Sequence, residues 1–267
     1  MTTLRAVPDP VTPHRGGRWW RLAPIEARLL LRRRTTAFGV LSGPLVMIFF
    51  ALVARPDSPQ GWGVLAGLGA FVGMLIAVYT TAATVFTLRR ESGALARLRT
   101  TELTGPGIVA GTGAPLLVIG VVQTVLICGV YVALGAPLPA NPVLLLAALL
   151  LGGAFCVAAG ALTSTFSRSA ESVQFTASPL LLVGAVAVNV LGTGVDGPLR
   201  GILLLVPGTP VADLVGLAWA GGAVGGAADG AAVGGVPSWL FGLGVTVVWT
   251  AVAVLGTTAR WRWTPRG

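Results

Sequence analysis

The feature that most constrains this chain is a series of six uncharged apolar runs, at roughly Ala37–Ala54, Trp62–Leu88, Ile108–Leu134, Val143–Phe166, Phe175–Leu191 and Leu240–Ala259. Each holds roughly 17 to 27 residues, and a helix of about 20 apolar residues crosses the roughly 30 Å of hydrocarbon in a bilayer. Inside lipid a segment has to satisfy its own backbone polar groups, which leaves helices. A transmembrane barrel would instead show alternating segments of about ten residues. The expected fold class is therefore all-α, a polytopic membrane protein with six transmembrane helices. Composition agrees, since only 10% of the residues are charged and the mean hydropathy is +0.84; soluble domains carry roughly a quarter charged residues. The first run is too long for the core of a signal peptide, and no small-x-small cleavage site precedes Arg55.

The charges that remain are informative by position. All 18 basic residues are arginines, and the net charge is +9. A basic balance can mark a nucleic-acid binder, but that needs a solvated basic face, and no soluble domain remains once the spans are removed. Arginines in alternate connections set topology instead. One side receives Arg5, Arg15, Arg18, Arg21, Arg28, Arg32, Arg33, Arg34, Arg89, Arg90, Arg97, Arg99, Arg168, Arg260, Arg262 and Arg266, and the other only Arg55 and Arg200. This predicts both termini in the cytoplasm of a bacterial-type plasma membrane. Residues 1–17 are expected to be a disordered tail and residues 18–267 a single transmembrane domain. Trp19, Trp20, Trp62, Trp239, Trp261 and Trp263 stand near the ends of the runs, where interfacial anchors belong. Cys128 and Cys156 lie inside runs and are expected to be small buried hydrophobes.

The connections are unequal. Residues 193–239 form the long one, expected outside, with a short apolar piece, Gly201–Val206, closed by Pro207-Gly208-Thr209-Pro210. Six residues cannot span a bilayer, so the piece is expected to be a re-entrant or interfacial half-helix. The following GGAVGGAADGAAVGG, residues 221–235, has the composition of a flexible loop.

Little in the chain points to catalysis. The lone histidine is His14, and acidic residues occur singly, none at the middle of a run. Intramembrane proteases need paired acids, histidines or an activated serine, and ion-driven carriers usually hold a buried acid. GPGIVA at 105–110 fits a loose GxGxxA but opens a membrane span rather than following a strand. With no lysine in the chain there is no Walker lysine, so any ATP hydrolysis and its Mg²⁺ belong to another subunit; no cofactor is expected here. Polar residues within the runs are mild. Helix–helix hydrogen bonding accounts for most such groups; Tyr79, Thr84, Gln123 and Asn189 are the candidates for a substrate pathway. GxxxG spacings at Gly63/Gly67 and Gly69/Gly73 would allow close helix approach, but 38 glycines also produce them by chance.

The connection RRESGALARLRT, residues 89–100, is the exception to the oily background. Leu88, Leu95 and Leu98 fall near one helical face with Arg90 and Arg97 opposite, Ser92 is placed to cap, and Gly93 allows a bend. A short helix along the membrane interface is expected, offering its charges to water or to a partner.

RRESGALARLRTTELTGPGIVAG resembles the R-E-x-G-x-L-x-x-L-R-x-T-P connection of ABC transporter permeases of the type-2 exporter class, at Arg90, Glu91, Gly93, Leu95, Leu98, Arg99 and Thr100. The family's next proline is Thr101 here, with proline at 106. SVQFTASPLLLVGAVAVNV and GPLRGILLLVPGTPVADLVGLAW are similar to that family's fifth span, external re-entrant helices and P-x-T element, with Pro207, Thr209, Pro210 and Asp213 at the corresponding place. Trp19–Arg34, with Leu22, Ile25 and Leu29 on one face, resembles its N-terminal interfacial helix. Compact members of this kind include the daunorubicin-resistance type permeases. The resemblance implies a transmembrane subunit of an ATP-driven exporter, paired with a second copy or paralogue and with two ABC ATPase subunits, moving a hydrophobic drug, antibiotic or lipid. It also implies that the connection is a coupling helix, Glu91, Arg97 and Arg99 making polar contacts with the ATPase and Leu95 and Leu98 seating it. The competing readings are a non-transporting scaffold or immunity subunit and an ion-coupled carrier.

Overall fold

The computed structural model describes residues 34–94, 105–221 and 233–261. The tail, the Trp19–Arg34 helix up to residue 33, the Gly/Ala stretch 222–232, and Leu95, Arg97, Leu98, Arg99 and Thr100 therefore lie outside the described residues. Six long helices follow the apolar runs closely: α1 (Arg34–Ala54), α2 (Pro59–Glu91), α3 (Gly105–Ala133), α4 (Pro142–Phe166), α5 (Val173–Gly192) and α8 (Ser238–Arg260). The five from α2 onward are long and apolar enough to cross a membrane, and Gly43–Ala54 of α1 is apolar as well. Between α5 and α8 stand two shorter helices, α6 (Pro198–Leu204) and α7 (Thr209–Ala220), bent by 113° to one another. The protein is an all-α polytopic membrane protein.

Local signals explain the starts. Ser58 caps α2 by accepting from the Gly61 N–H, and Asn141 caps α4 by accepting from Leu144, each with proline in the first turn. Helix α2 is not uniform: residues Met74–Thr80 form a π-helical segment between two α-helical stretches. Such segments are rare and tend to sit at functional positions.

Helix α4 is central, packing on α2, α3, α7 and α8. The close approaches are made by small residues. A Cβ on Gly160 of α4 would stand 2.8 Å from the Tyr79 carbonyl oxygen of α2, and one on Gly67 of α2 would stand 2.4 Å from the Ala212 carbonyl oxygen of α7. Gly63, one turn away, meets Gly216 in the same way. The first GxxxG pair is thus a real contact surface, where backbones touch because no side chain intervenes. Trp62 stands in the first turn of α2 but faces inward. It is buried, its ring 5.6 Å from that of Tyr131, which in turn lies 6.4 Å from Trp219. Cys128 and Cys156 are buried and free. Outward faces carry large apolar side chains, such as Leu182 and Val186 on α5 and Val248 and Leu255 on α8, as lipid contact requires.

The bent pair enters and leaves the membrane on one side. The N–H groups of Ala140 and Asn141, in the α3–α4 connection, donate to the carbonyls of Trp219 and Ala218 at the end of α7. That connection lies on the same side as the end of α5, because α4 and α5 cross in opposite directions. Helices α6 and α7 are therefore a re-entrant hairpin. The apolar piece Gly201–Val206 covers only part of the hairpin: the second arm runs to Ala220, just past the stretch through Trp219 that resembles re-entrant helices, and is the longer of the two.

Candidate functional site

Two regions gather the chemistry, one at each side of the bundle. On the arginine-rich side, α2 runs straight through the beginning of RRESGALARLRT and ends at Glu91. The Ser92 N–H donates to the Leu88 carbonyl, closing α2, and Gly93 follows with φ +66°, a backbone state that glycine adopts without strain. The bend expected at Gly93 is there, one residue before the described segment ends.

The three charges ahead of it are not equivalent. Arg90 is buried, 4% exposed, and its guanidinium donates to the carbonyl oxygens of Ser164 and Ser167 at the end of α4. Those carbonyls lack intrahelical partners and carry the negative end of the helix dipole, which an arginine satisfies on both counts. The sequence expectation that Arg90 offers its charge to water or a partner is corrected: it clamps α2 to α4. Arg89 donates to the Thr112 hydroxyl of α3 at 3.0 Å. Glu91 accepts from the Ala170 N–H at 3.1 Å in the turn that leads into α5. Three adjacent residues of one helix end thus hold α3, α4 and the lead-in to α5.

On the other side lies the hairpin corner. Pro207 sits in the bend, Gly208 takes φ +88°, and Thr209-Pro210 opens α7. Thr209 is fully buried, and its hydroxyl finds no partner among the described residues. The arms are joined by a buried ion pair: an Arg200 Nη of α6 lies 2.7 and 2.9 Å from the two carboxylate oxygens of Asp213 on α7. The side chains are 2% and 0% exposed. Helix α8 supports the corner from outside, the Trp249 indole donating to the Leu205 carbonyl. Asp213 lies beside Ala212, which meets Gly67, about eight residues or 12 Å down α2 from its start. Arg200 was expected to be a loop arginine and Asp213 a single acid. Both descriptions hold, but neither discloses the pair, whose members, 13 residues apart, are brought together by the fold.

Asp213 also borders a cavity of about 220 Å³ between α2, α5 and α7, and Asn189 borders it from α5. The other pathway candidates do not join them. Tyr79 is buried against α4, its hydroxyl 3.0 Å from that of Thr163. Thr84 donates to the Thr80 carbonyl of its own helix. Gln123 is 3% exposed, and neither polar atom of its amide has a partner among the described residues; the amide faces Gly43 and Gly73 instead. The four do not form one track. A second, apolar cavity of about 550 Å³ lies between α3, α4 and α8. No group of three or more potential metal ligands occurs among the described residues.

Nothing in the sequence singled out Arg200, because a lone arginine near an apolar piece reads as topology. Its spacing from Asp213 matches no helical period across a bend. A family model described as ABC-2 family transporter protein matches residues 56–255, which takes in α2 through most of α8. No curated protein matches the chain.

Proposed function

The chain belongs to the ABC-2 family of transporter proteins, and from that premise we propose that it is the membrane half of an ATP-driven exporter. A transmembrane transport subunit of this family works with an ABC ATPase, which supplies the ATP and Mg²⁺ chemistry. In the proposed assembly two copies of the chain face one another, two ATPase subunits bind from the cytoplasm, and both termini lie on that side. The cargo is a hydrophobic drug, antibiotic or lipid, in keeping with walls that are almost wholly apolar.

The observation that carries this reading is the linkage at the end of α2. A push on residues 95–104 would reach α2 back through Gly93 and Ser92, and Arg89, Arg90 and Glu91 would pass it to α3, α4 and the start of α5. Coupling needs such a joint, since a floppy loop would absorb the displacement. At the far side the hairpin of α6 and α7, its arms joined by the Arg200–Asp213 pair, is the element that would yield to let cargo leave. The sequence expectations for Leu95, Arg97, Leu98, Arg99 and Thr100 belong to this proposal as the surface that meets the ATPase, and those for Pro207, Thr209, Pro210 and Asp213 as the outer closure.

The test is biochemical. The ATPase that co-purifies with the chain should hydrolyse ATP faster in the complex than alone. Glu91→Arg should bring the rate down to that of the free ATPase while the protein still inserts. Full stimulation in that variant, or no co-purifying ATPase, would sink the proposal.

A further inference from the structure

The last turns of α2 end against the apolar cavity between α3, α4 and α8. Helices α3 and α8 approach α4 from either side through glycines. A Cβ on Gly113 of α3 would collide with the Val157 side chain, and one on Gly256 of α8 would stand 3.0 Å from the Leu162 Cδ1. Facing the space between, α4 presents Ala154, Ala158 and Ala161, spaced so that they share one helical face. Side chains this small leave room above them. The cavity measures about 550 Å³, within the roughly 300–1,000 Å³ of sites that hold small ligands.

Its lining selects a class of guest. Among the described residues no charged side chain lines it. The hydroxyls of Thr250, Thr257 and Thr258 on the α8 wall donate to the Thr246, Ala253 and Leu255 carbonyls of their own helix. They have no hydrogen left for a ligand, and an ion or a strongly polar group would lose its hydration without compensation. One end is aromatic: Trp261 lines the cavity, its ring 5.8 Å from that of Phe86 on α2 in an edge-to-face arrangement. A neutral guest that carries an aromatic ring gains a stacking partner there.

The attachment of the cavity ties it to transport. The last turns of α2 reach all three walls at one end. Phe86 meets Trp261, which closes α8; Arg89 donates to Thr112, the residue before Gly113 on α3; Arg90 donates to the Ser164 carbonyl, three residues beyond Ala161 on α4. A displacement of that end of α2 would shift the walls against one another and change the space between them. Under the orientation proposed above, this end is cytoplasmic. We propose that the cavity is the uptake site for cargo within a single chain, and that it takes a neutral, ring-bearing apolar molecule from the cytoplasmic leaflet. The assignment rests on the exporter reading and narrows its cargo.

Binding can be read on the chain alone, in phosphatidylcholine nanodiscs, by photolabelling with trifluoromethyl-phenyldiazirine. Labelling of peptides that line the cavity should saturate with probe concentration, whereas labelling of the outward face of α5 should rise in proportion to it. The carboxylate analogue of the probe should show a severalfold lower ratio of cavity to α5 labelling. Ala154→Phe, which fills the floor, should remove the saturable part. Val254→Trp, a change at the exposed lip, should do the same if the first variant fails to fold. Thr250→Val should bind as the wild type does, and a loss of binding there would overturn the apolar reading. Proportional labelling at both places would overturn the site. So would cavity labelling by phosphatidylcholine with an acyl-terminal diazirine that excess trifluoromethylbenzene fails to displace, since a lipid chain would then be the occupant. In the complex with the co-purified ATPase, the phenyl probe should raise ATP hydrolysis in the wild type and not in Ala154→Phe. Saturable binding without that response, in a complex that Glu91→Arg still uncouples, would overturn the uptake role while leaving the exporter reading in place.

Discussion

Removing one partner of the Arg200–Asp213 pair should be among the most damaging single changes open to this protein. Both side chains are nearly inaccessible, and the contacts are 2.7 and 2.9 Å. Deleting Asp213 leaves a guanidinium without its counter-charge in a place water does not reach. The loss of one member of a buried pair costs about 3–5 kcal/mol. A chain of this size responds with roughly 2–4 °C of melting temperature per kcal/mol. Asp213→Asn should therefore lower the melting temperature of the detergent-purified protein by about 6–20 °C, read from the fluorescence of its tryptophans, one of which, Trp219, sits on the same helix. Arg200→Met should do at least as much, because Arg200 makes further contacts besides this one. The double variant Arg200→Met with Asp213→Leu removes both charges and keeps the volume, and such replacements are neutral or stabilising in other buried pairs. It should recover most of the loss, giving a large coupling in the double-mutant cycle. Single variants within about 2 °C of the wild type, or a double variant whose loss is the sum of the two, would refute the view that this pair is buried and coupled.

Three further outcomes follow from packing. Gly67→Ala, whose Cβ would stand 2.4 Å from the Ala212 carbonyl, should cost about 1–3 kcal/mol in thermal unfolding, whereas Gly129→Ala, with nothing within 4 Å, should be neutral or stabilise by up to about 1 kcal/mol. Arg90→Leu should uncap the end of α4, raising hydrogen exchange at residues 164–167 while the first turns of α4 stay protected; unchanged exchange there would contradict the clamp. Gln123→Leu, which removes a buried amide that has no partner among the described residues, should raise thermal stability by about 1–2 kcal/mol, and a fall would mean that the amide is satisfied after all.

The spans were legible because lipid imposes a simple rule: an uncharged run of sufficient length becomes a helix, and each observed boundary falls within a few residues of its run. The hairpin was harder. Val206-Pro207-Gly208-Thr209-Pro210 announced the corner, but the arm beyond it carries Asp213, and a charge in a stretch of 12 residues reads as a loop until its partner is known. Pairing across a bend leaves no periodic trace. The same holds for Arg90, whose neighbours on α4 lie 74 and 77 residues away; sequence shows that a positive charge stands at that side, not which carbonyls receive it. Gly63 and Gly67 were visible as a pattern, yet only the nearness of α7 separates them from the many chance spacings among 38 glycines. Which way Trp62 faces was not legible, because a tryptophan at a span end suits headgroups and aromatic neighbours equally well.

The π-helical segment of α2 has a geometrical consequence for how its two ends relate. In an α-helix each added residue turns whatever follows by about 100°, while a wider turn advances by less, so residues 74–80 act as a phase shifter between the glycine face that meets α7 and Arg90, which grips the end of α4. One helix can thereby keep two appointments that a single uninterrupted period would set at a different angle.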